Sequence, residues 1–302
     1  ILDVTAQEVI GDASVVTGFE TLNIDGNLTI DLDTYSNNTF TTVVLDKTAG
    51  GTHTFTIESI RNEVIESGIA LAADATLTKE SVSGSSDAVS LKFKAAAGYT
   101  STHDYAIDAV EIVNIETDDS DNATYGTFTV LLDADDLNTI NITGDTGVAL
   151  TGSNDLSTLN TIDGSGATIG GVSTATTIAG IVWDSSVTTV GDTTTYTGTN
   201  GKDTFTGGSV TDDTFNGGLG VDTLVYDGRT DTFTGGGGND VFDVNADGTS
   251  TQFLTITDLA VGDTIDYAGV TDGTAAIANG ALGAKITLGA NATLTNYLDS
   301  AC

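Results

Sequence analysis

The 302-residue chain has no proline, no methionine, one cysteine at position 302, and only eight basic side chains against 43 acidic ones. With no second cysteine, no internal disulfide can brace the fold, and Cys302 is read as incidental. The shortage of lysine and arginine leaves a formal charge of −35, which argues against nucleic acid or anionic lipid as a direct partner and makes cations the expected counterpart. No stretch approaches the roughly 18 apolar residues of a membrane span. No basic-then-apolar leader opens the chain, so no N-terminal signal is visible, and the missing initiator methionine suggests an internal or processed portion of a longer protein. Catalytic signatures are also missing. His53 and His103 lack HExxH spacing, no GxSxG elbow occurs, and His103 beside Asp104 reads as a loop pair, so the expectation is a protein that is not an enzyme.

Hydrophobic residues nonetheless make up 39% of the chain, spread at short intervals, which predicts packing and not an acidic disordered tail. Short runs alternate apolar and polar residues between Gly, Asn, Asp and Ser: TLNIDGNLTIDL from Thr21, TTVVLD from Thr41, AVSLKF from Ala88, AVEIVNIE from Ala109 and GTFTVLLD from Gly126. This is an all-β texture. FETLNIDG at Phe19, VEIVNIET at Val110, LNTINITGD at Leu137 and LSTLNTIDG at Leu156 recur loosely, at spacings compatible with the coils of a parallel β-solenoid. An antiparallel sandwich is the alternative. Ser59 to Ala75 has a helical alternative, interrupted by Gly68. Trp183, in GIVWDSS, is expected in the core or at an edge.

Five rows from Gly198 carry the densest pattern: GTNGKDTFT, GGSVTDDTFN, GGLGVDTLV, YDGRTDTFT and GGGGNDVFD. The motif is Gly-Gly-x-Gly-x-Asp-x-apolar-x, complete in two rows and degraded in three. Its aspartates are Asp203, Asp213, Asp222, Asp231 and Asp240, and alternate ones lie 19, 18 and 18 residues apart. A tight turn plus a short strand per row places two rows in each coil, so alternate aspartates stack in two ladders. Phe205, Leu224 and Phe242 should then line one sheet and Phe215 and Phe233 the other. Glycine lets the turns visit positive φ and offer carbonyls, from Asn200, Gly201, Gly218, Gly220, Gly236 and Gly238. Carbonyls and carboxylates are hard oxygen donors, suited to calcium with its about 6–8 oxygens and flexible geometry. Calcium binding and folding are therefore expected to be one event. Asp258, Asp263 and Asp266 could complete the last site or form an acidic hairpin. Further candidates are Asp118, Asp119 and Asp121, then Asp133, Asp135 and Asp136, then Asp145; a solvated acidic loop is the alternative for each. The expected segments are a β-rich, solenoid-like 1–107, a Thr-rich solenoid over 108–197, a calcium β-roll over 198–250 and a C-terminal β cap over 251–302, where GALGAKITLGANATLTNYL adds a strand.

These rows resemble the RTX repeats of secreted proteins. The longer run from Gly217 to Val270, with LGAKITLGANATLTNYLDSA after it, resembles the C-terminal lattice-forming region of Caulobacter-type bacterial surface-layer proteins. The resemblance weakens between about Val110 and Gly198 and is weakest before Ala88. It implies a structural protein that self-assembles with its own copies into a calcium-dependent two-dimensional array outside a Gram-negative cell. It further implies type I secretion and attachment to lipopolysaccharide through a separate N-terminal domain, with no membrane insertion and no nucleic acid partner. The alternative is an RTX calcium-binding module of a type I secreted adhesin or exoenzyme.

Overall fold

The computed structural model describes residues 2–4, 17–24, 29–31, 42–45, 53–58, 64–67, 75–80, 86–95, 100–119, 125–150, 156–171, 177–184, 193–208, 211–226, 228–244, 254–266 and 286–287. One 12-stranded sheet runs, in spatial order, through β1 (Leu2–Val4), β2 (Thr21–Ile24), β4 (Thr42–Leu45), β6 (Val64–Ser67), β8 (Ala88–Ala95), β10 (Ile112–Asp119), β12 (Thr139–Gly144), β14 (Thr161–Ala167), β16 (Thr195–Thr197), β18 (Thr214–Asn216), β20 (Thr232–Thr234) and β22 (Thr255–Ile256). The other, also of 12, runs through β3 (Thr29–Asp31), β5 (His53–Glu58), β7 (Ala75–Glu80), β9 (Thr100–Asp108), β11 (Thr127–Asp133), β13 (Gly147–Leu150), β15 (Ala179–Asp184), β17 (Lys202–Thr206), β19 (Thr223–Tyr226), β21 (Val241–Val244), β23 (Thr264–Asp266) and β24 (Ile286–Thr287).

From β2 to β23 strands alternate between the sheets, so each coil adds one rung to each. All pairings within the sheets are parallel except β23 with β24. This is a parallel β-solenoid, not a sandwich. The recurring runs at Phe19, Val110, Leu137 and Leu156 supply β2, β10, β12 and β14 of one sheet. Their repeated Asn becomes a ladder, with Asn141 Nδ2 donating to Asn114 Oδ1 at 2.8 Å across a coil of 27 residues. Downstream the coils shorten to 19 and 18 residues, the lengths read from the aspartate spacing. The helical alternative for Ser59 to Ala75 is corrected at the described residues of that segment, 64–67 and 75, which are strand. Val64–Ser67 is β6, parallel to β4 and β8, and its Val-Ile pair suits a pleated strand better than a helix turn. Of the expected tail strand β24 is described; Cys302 lies outside the described residues.

The core follows from the alternation. In the rows DTF and DTL the threonine turns outward and the next residue inward, giving Phe205 opposite Leu224 and Leu224 opposite Phe242 in one sheet, and Phe215 opposite Phe233 in the other. All five are wholly buried. Phe215 stacks on Tyr196 at 4.7 Å, meets Phe233 edge-on at 4.7 Å and reaches Phe205 of the facing sheet at 5.8 Å. The two sheets are thus joined by a single layer of side chains. Trp183, also wholly buried, packs against Tyr196 at 5.9 Å, a core position.

Turn stacking demands glycine most clearly at Gly220 and Gly238, with φ of 144° and 156°. A Cβ on Gly220 would overlap the Gly201 carbonyl oxygen and one on Gly238 the Gly220 carbonyl oxygen. Gly228 has φ 112° but open space around it. Gly228→Ala should therefore cost only the positive-φ strain of about 1–2 kcal/mol, and Gly220→Ala distinctly more. Phe215→Ala should cost about 3–5 kcal/mol. Urea unfolding in calcium, followed by the fluorescence of the single buried Trp183, orders the three.

Candidate metal centre

The aspartates of the five rows stand at the turn edges and none is more than 2% exposed. Each points its carboxylate back along the stack. Asp222 Oδ1 accepts the main-chain N–H of Asp203 at 2.8 Å, Asp240 Oδ1 that of Asp222 at 2.9 Å, and Asp263 Oδ1 that of Asp240 at 3.0 Å. At the upstream end Asp203 Oδ1 accepts the N–H of Ile181 at 2.5 Å. On the opposite edge Asp213 Oδ1 takes the N–H of Thr194 at 3.0 Å and Asp231 Oδ1 that of Asp213 at 2.8 Å. The two acidic ladders read from the spacing are thus present as chains of side-chain to main-chain hydrogen bonds, each linking one coil to the next.

Burial pushes these carboxyl groups up. Asp222 is raised to about 9, chiefly by loss of solvent, with the negative charges of Asp203 and Asp240 adding to it. Asp203 rises to about 7 by burial, opposed by donors from Ile181 and Thr199. Asp213 and Asp240 rise for the same primary reason. The buried ladder thus favours a proton, or another positive partner, on its carboxylates.

Oxygen-rich turns fit a hard cation. Among the described residues no three His, Cys, Asp or Glu side chains converge, so a site here would combine one or two carboxylates with main-chain carbonyls. That is a hard-oxygen donor set that calcium accepts and zinc does not favour. Asp222 Oδ2 is buried and has no hydrogen-bond partner. It crowds the Cα of Gly217 together with the carbonyl oxygen of Gly235 from the next turn. A Cβ would fill that space.

The other candidates take different places. The Asn200 side chain bridges to the upstream coil, Oδ1 accepting from Ile169 N–H at 2.6 Å and Nδ2 donating to the Ile169 carbonyl at 3.3 Å. Gly218 O accepts from Gly237 N–H at 2.8 Å, tying Gly218 into the turn stack; Gly201, Gly220 and Gly238 stack beside it. Asp258 closes the last complete turn, accepting from Gly235 N–H at 2.8 Å and Gly236 N–H at 2.7 Å. Asp263 extends the ladder and also accepts from Ala260 N–H at 2.7 Å. Asp266 stands two residues along β23, in register with Asp243 and outside the ladder. The two neighbours at the end of β10 face opposite ways. Asp118 pairs with Lys94 at 2.8 Å, while Asp119 is buried and its N–H donates to Asp145 Oδ1 at 2.8 Å. Asp121 lies outside the described residues. Asp133, Asp135 and Asp136 are exposed around one turn.

Two contributors were not picked out from the sequence. The hydroxyls of Thr199 and Thr211 lie 3.1–3.2 Å from both oxygens of Asp203 and Asp213. Threonine at a turn position where complete rows carry glycine was the signal available. No family model and no curated protein matches the chain.

Because the folded pKa values lie above the ordinary carboxylate range near 4, the metal-free fold binds more protons than the unfolded chain. The Asp203 and Asp222 contribution is complete below about pH 4 and is lost as pH rises through about 7 and about 9. Without divalent ions resistance to urea should be greatest near pH 5 and be lost by pH 8.5. A midpoint that rises over that range would contradict the buried-ladder account.

Proposed function

We propose that the chain is a structural surface-layer protein that folds and assembles with its own copies into a two-dimensional array in a calcium-dependent way. The observation that carries the reading is the ladder of buried aspartates, continuous with a parallel solenoid and lined by glycine turns. A ladder of like charges in a core one side chain thick needs positive compensation. Calcium supplies it with flexible oxygen coordination, and its extracellular sites operate at about 10⁻⁴–10⁻³ M. In calcium-poor cytosol the carboxylates oppose closure of the coils, which keeps the chain export-competent; outside, calcium drives folding. The charge of −35 also opposes contact between copies, and each calcium held between them cancels two charges. Repeated heterologous contacts then extend as an open sheet instead of closing into a ring. The sequence resemblance to surface-layer lattice regions supports this choice, and with it type I export and anchoring to lipopolysaccharide by a domain outside this chain.

Calcium titration of the purified chain, followed by circular dichroism and light scattering with magnesium as control, tests it. Calcium should bring β-sheet ellipticity first and growth of large assemblies afterwards, with magnesium inert at equal concentration. Folding to a stable monomer would favour the adhesin or exoenzyme module, and absence of any calcium response would refute both.

A further inference from the structure

The carboxylates of the roll are not equivalent, and two threonines make the difference. Four and two residues before the aspartate, the complete turns carry glycine: Gly218 and Gly220 before Asp222, Gly236 and Gly238 before Asp240. Before Asp203 the first of these positions is Thr199; before Asp213 the second is Thr211. Thr199 Oγ1 reaches Asp203 Oδ2 at 3.1 Å and Oδ1 at 3.2 Å, and its N–H donates to Oδ2 at 2.8 Å. Thr211 Oγ1 reaches Asp213 Oδ2 at 3.1 Å and Oδ1 at 3.2 Å, with Gly208 N–H donating to Oδ2 at 3.2 Å. Together with the N–H of Ile181 on Asp203 Oδ1 and of Thr194 on Asp213 Oδ1, both oxygens of each carboxylate are held by protein donors.

Asp222 has no such clamp. Its Oδ1 is engaged by Asp203 N–H, whereas Oδ2 is buried with no hydrogen-bond partner. The Gly235 carbonyl oxygen approaches the same space over Gly217 from the following turn. With that carbonyl beside it and no donor of its own, Asp222 Oδ2 is an uncompensated buried acceptor, which is costly unless a cation stands there.

We infer that the roll is divided: the Gly217–Asp222 and Gly235–Asp240 turns form its calcium-requiring site, while Thr199 and Thr211 take the place of the ion at Asp203 and Asp213 and close those turns without metal. This rests on the calcium reading proposed above and refines it. A calcium at Asp203 or Asp213 would have to break the threonine hydroxyl hydrogen bonds and share oxygens already accepting from N–H groups; at Asp222 it meets an Oδ2 that no protein donor holds. The clamped turns are also those bonded to the upstream solenoid, through Asn200 to Ile169 and Asp203 to Ile181. They therefore continue the solenoid up to the coils that calcium adds.

Counting bound calcium on the full chain by equilibrium dialysis, with circular dichroism to follow folding, tests the division. Asp222→Asn should bind about one ion fewer than the unaltered chain, and Asp213→Asn the same number. Thr199→Gly and Thr211→Gly keep every carboxylate and restore the glycine of the complete turns. Each should bind about one further ion and need more calcium for half-folding. Equal losses from Asp213→Asn and Asp222→Asn, or unchanged counts in both threonine variants, would overturn the division while leaving the calcium reading intact. Should Asp222→Asn fail to fold even in calcium, the threonine variants decide alone. An unaltered chain that binds no calcium would overturn the reading on which the division rests.

Discussion

One bond organises the C-terminal half of this molecule: the carboxylate of each row's aspartate accepts the main-chain N–H of the residue one coil earlier, an aspartate in three of the five rows. The coil edges turn through glycine-rich loops whose N–H groups cannot all enter the sheet ladders. A buried N–H without a partner is expensive, and the aspartate supplies that partner at a fixed height in the stack. The same bond links Asp203 to Ile181 and Asp263 to Asp240, carrying the spacing out of the repeat rows in both directions. Farther upstream Asp145 does the same for Asp119.

The bond satisfies the donor and creates an electrostatic problem. A carboxylate in a dry edge keeps its charge only if something positive compensates it, and burial drives Asp203 and Asp222 well above their ordinary range. Three compensations are chemically open: a proton, a hydroxyl donor, or a cation. Mild acid would supply the first; Thr199 and Thr211 supply the second at two turns. Asp222 has no hydroxyl donor; raised to about 9, it holds a proton at neutral pH in the metal-free fold, and the proposed calcium would replace that proton. The calcium-coupled folding proposed above would follow from this local imbalance.

The nonapeptide rows were highly legible. Their spacing yields the coil length, the two aspartate ladders, and the partition of Phe205, Leu224 and Phe242 from Phe215 and Phe233, because a strict repeat ties sequence distance to position in the stack. Upstream, the Asn-centred recurrence marked the sheet that Asn114 and Asn141 share, though coils of uneven length blurred it. Ser59 to Ala75 misled because a helix-compatible composition says nothing about the neighbouring strands that pair with Val64–Ser67. The acidic cluster at Asp118 misled differently. Adjacent residues on a strand point to opposite faces, so Asp118 meets Lys94 while the Asp119 side chain is buried; its main-chain N–H is taken by Asp145, a residue read as a separate group.

By itself, then, the sequence determined the all-β class, the period of the coils and the residue types at each turn, since repetition and alternation are local properties of the chain. What only the tertiary structure decided is which donor each carboxylate receives. Hydrogen-bond satisfaction depends on groups brought together from different coils and on a side chain's reach within its own turn. Five aspartates that look alike in the repeat therefore divide, once stacked, into those held by threonine hydroxyls and at least one, Asp222, left with an open buried oxygen.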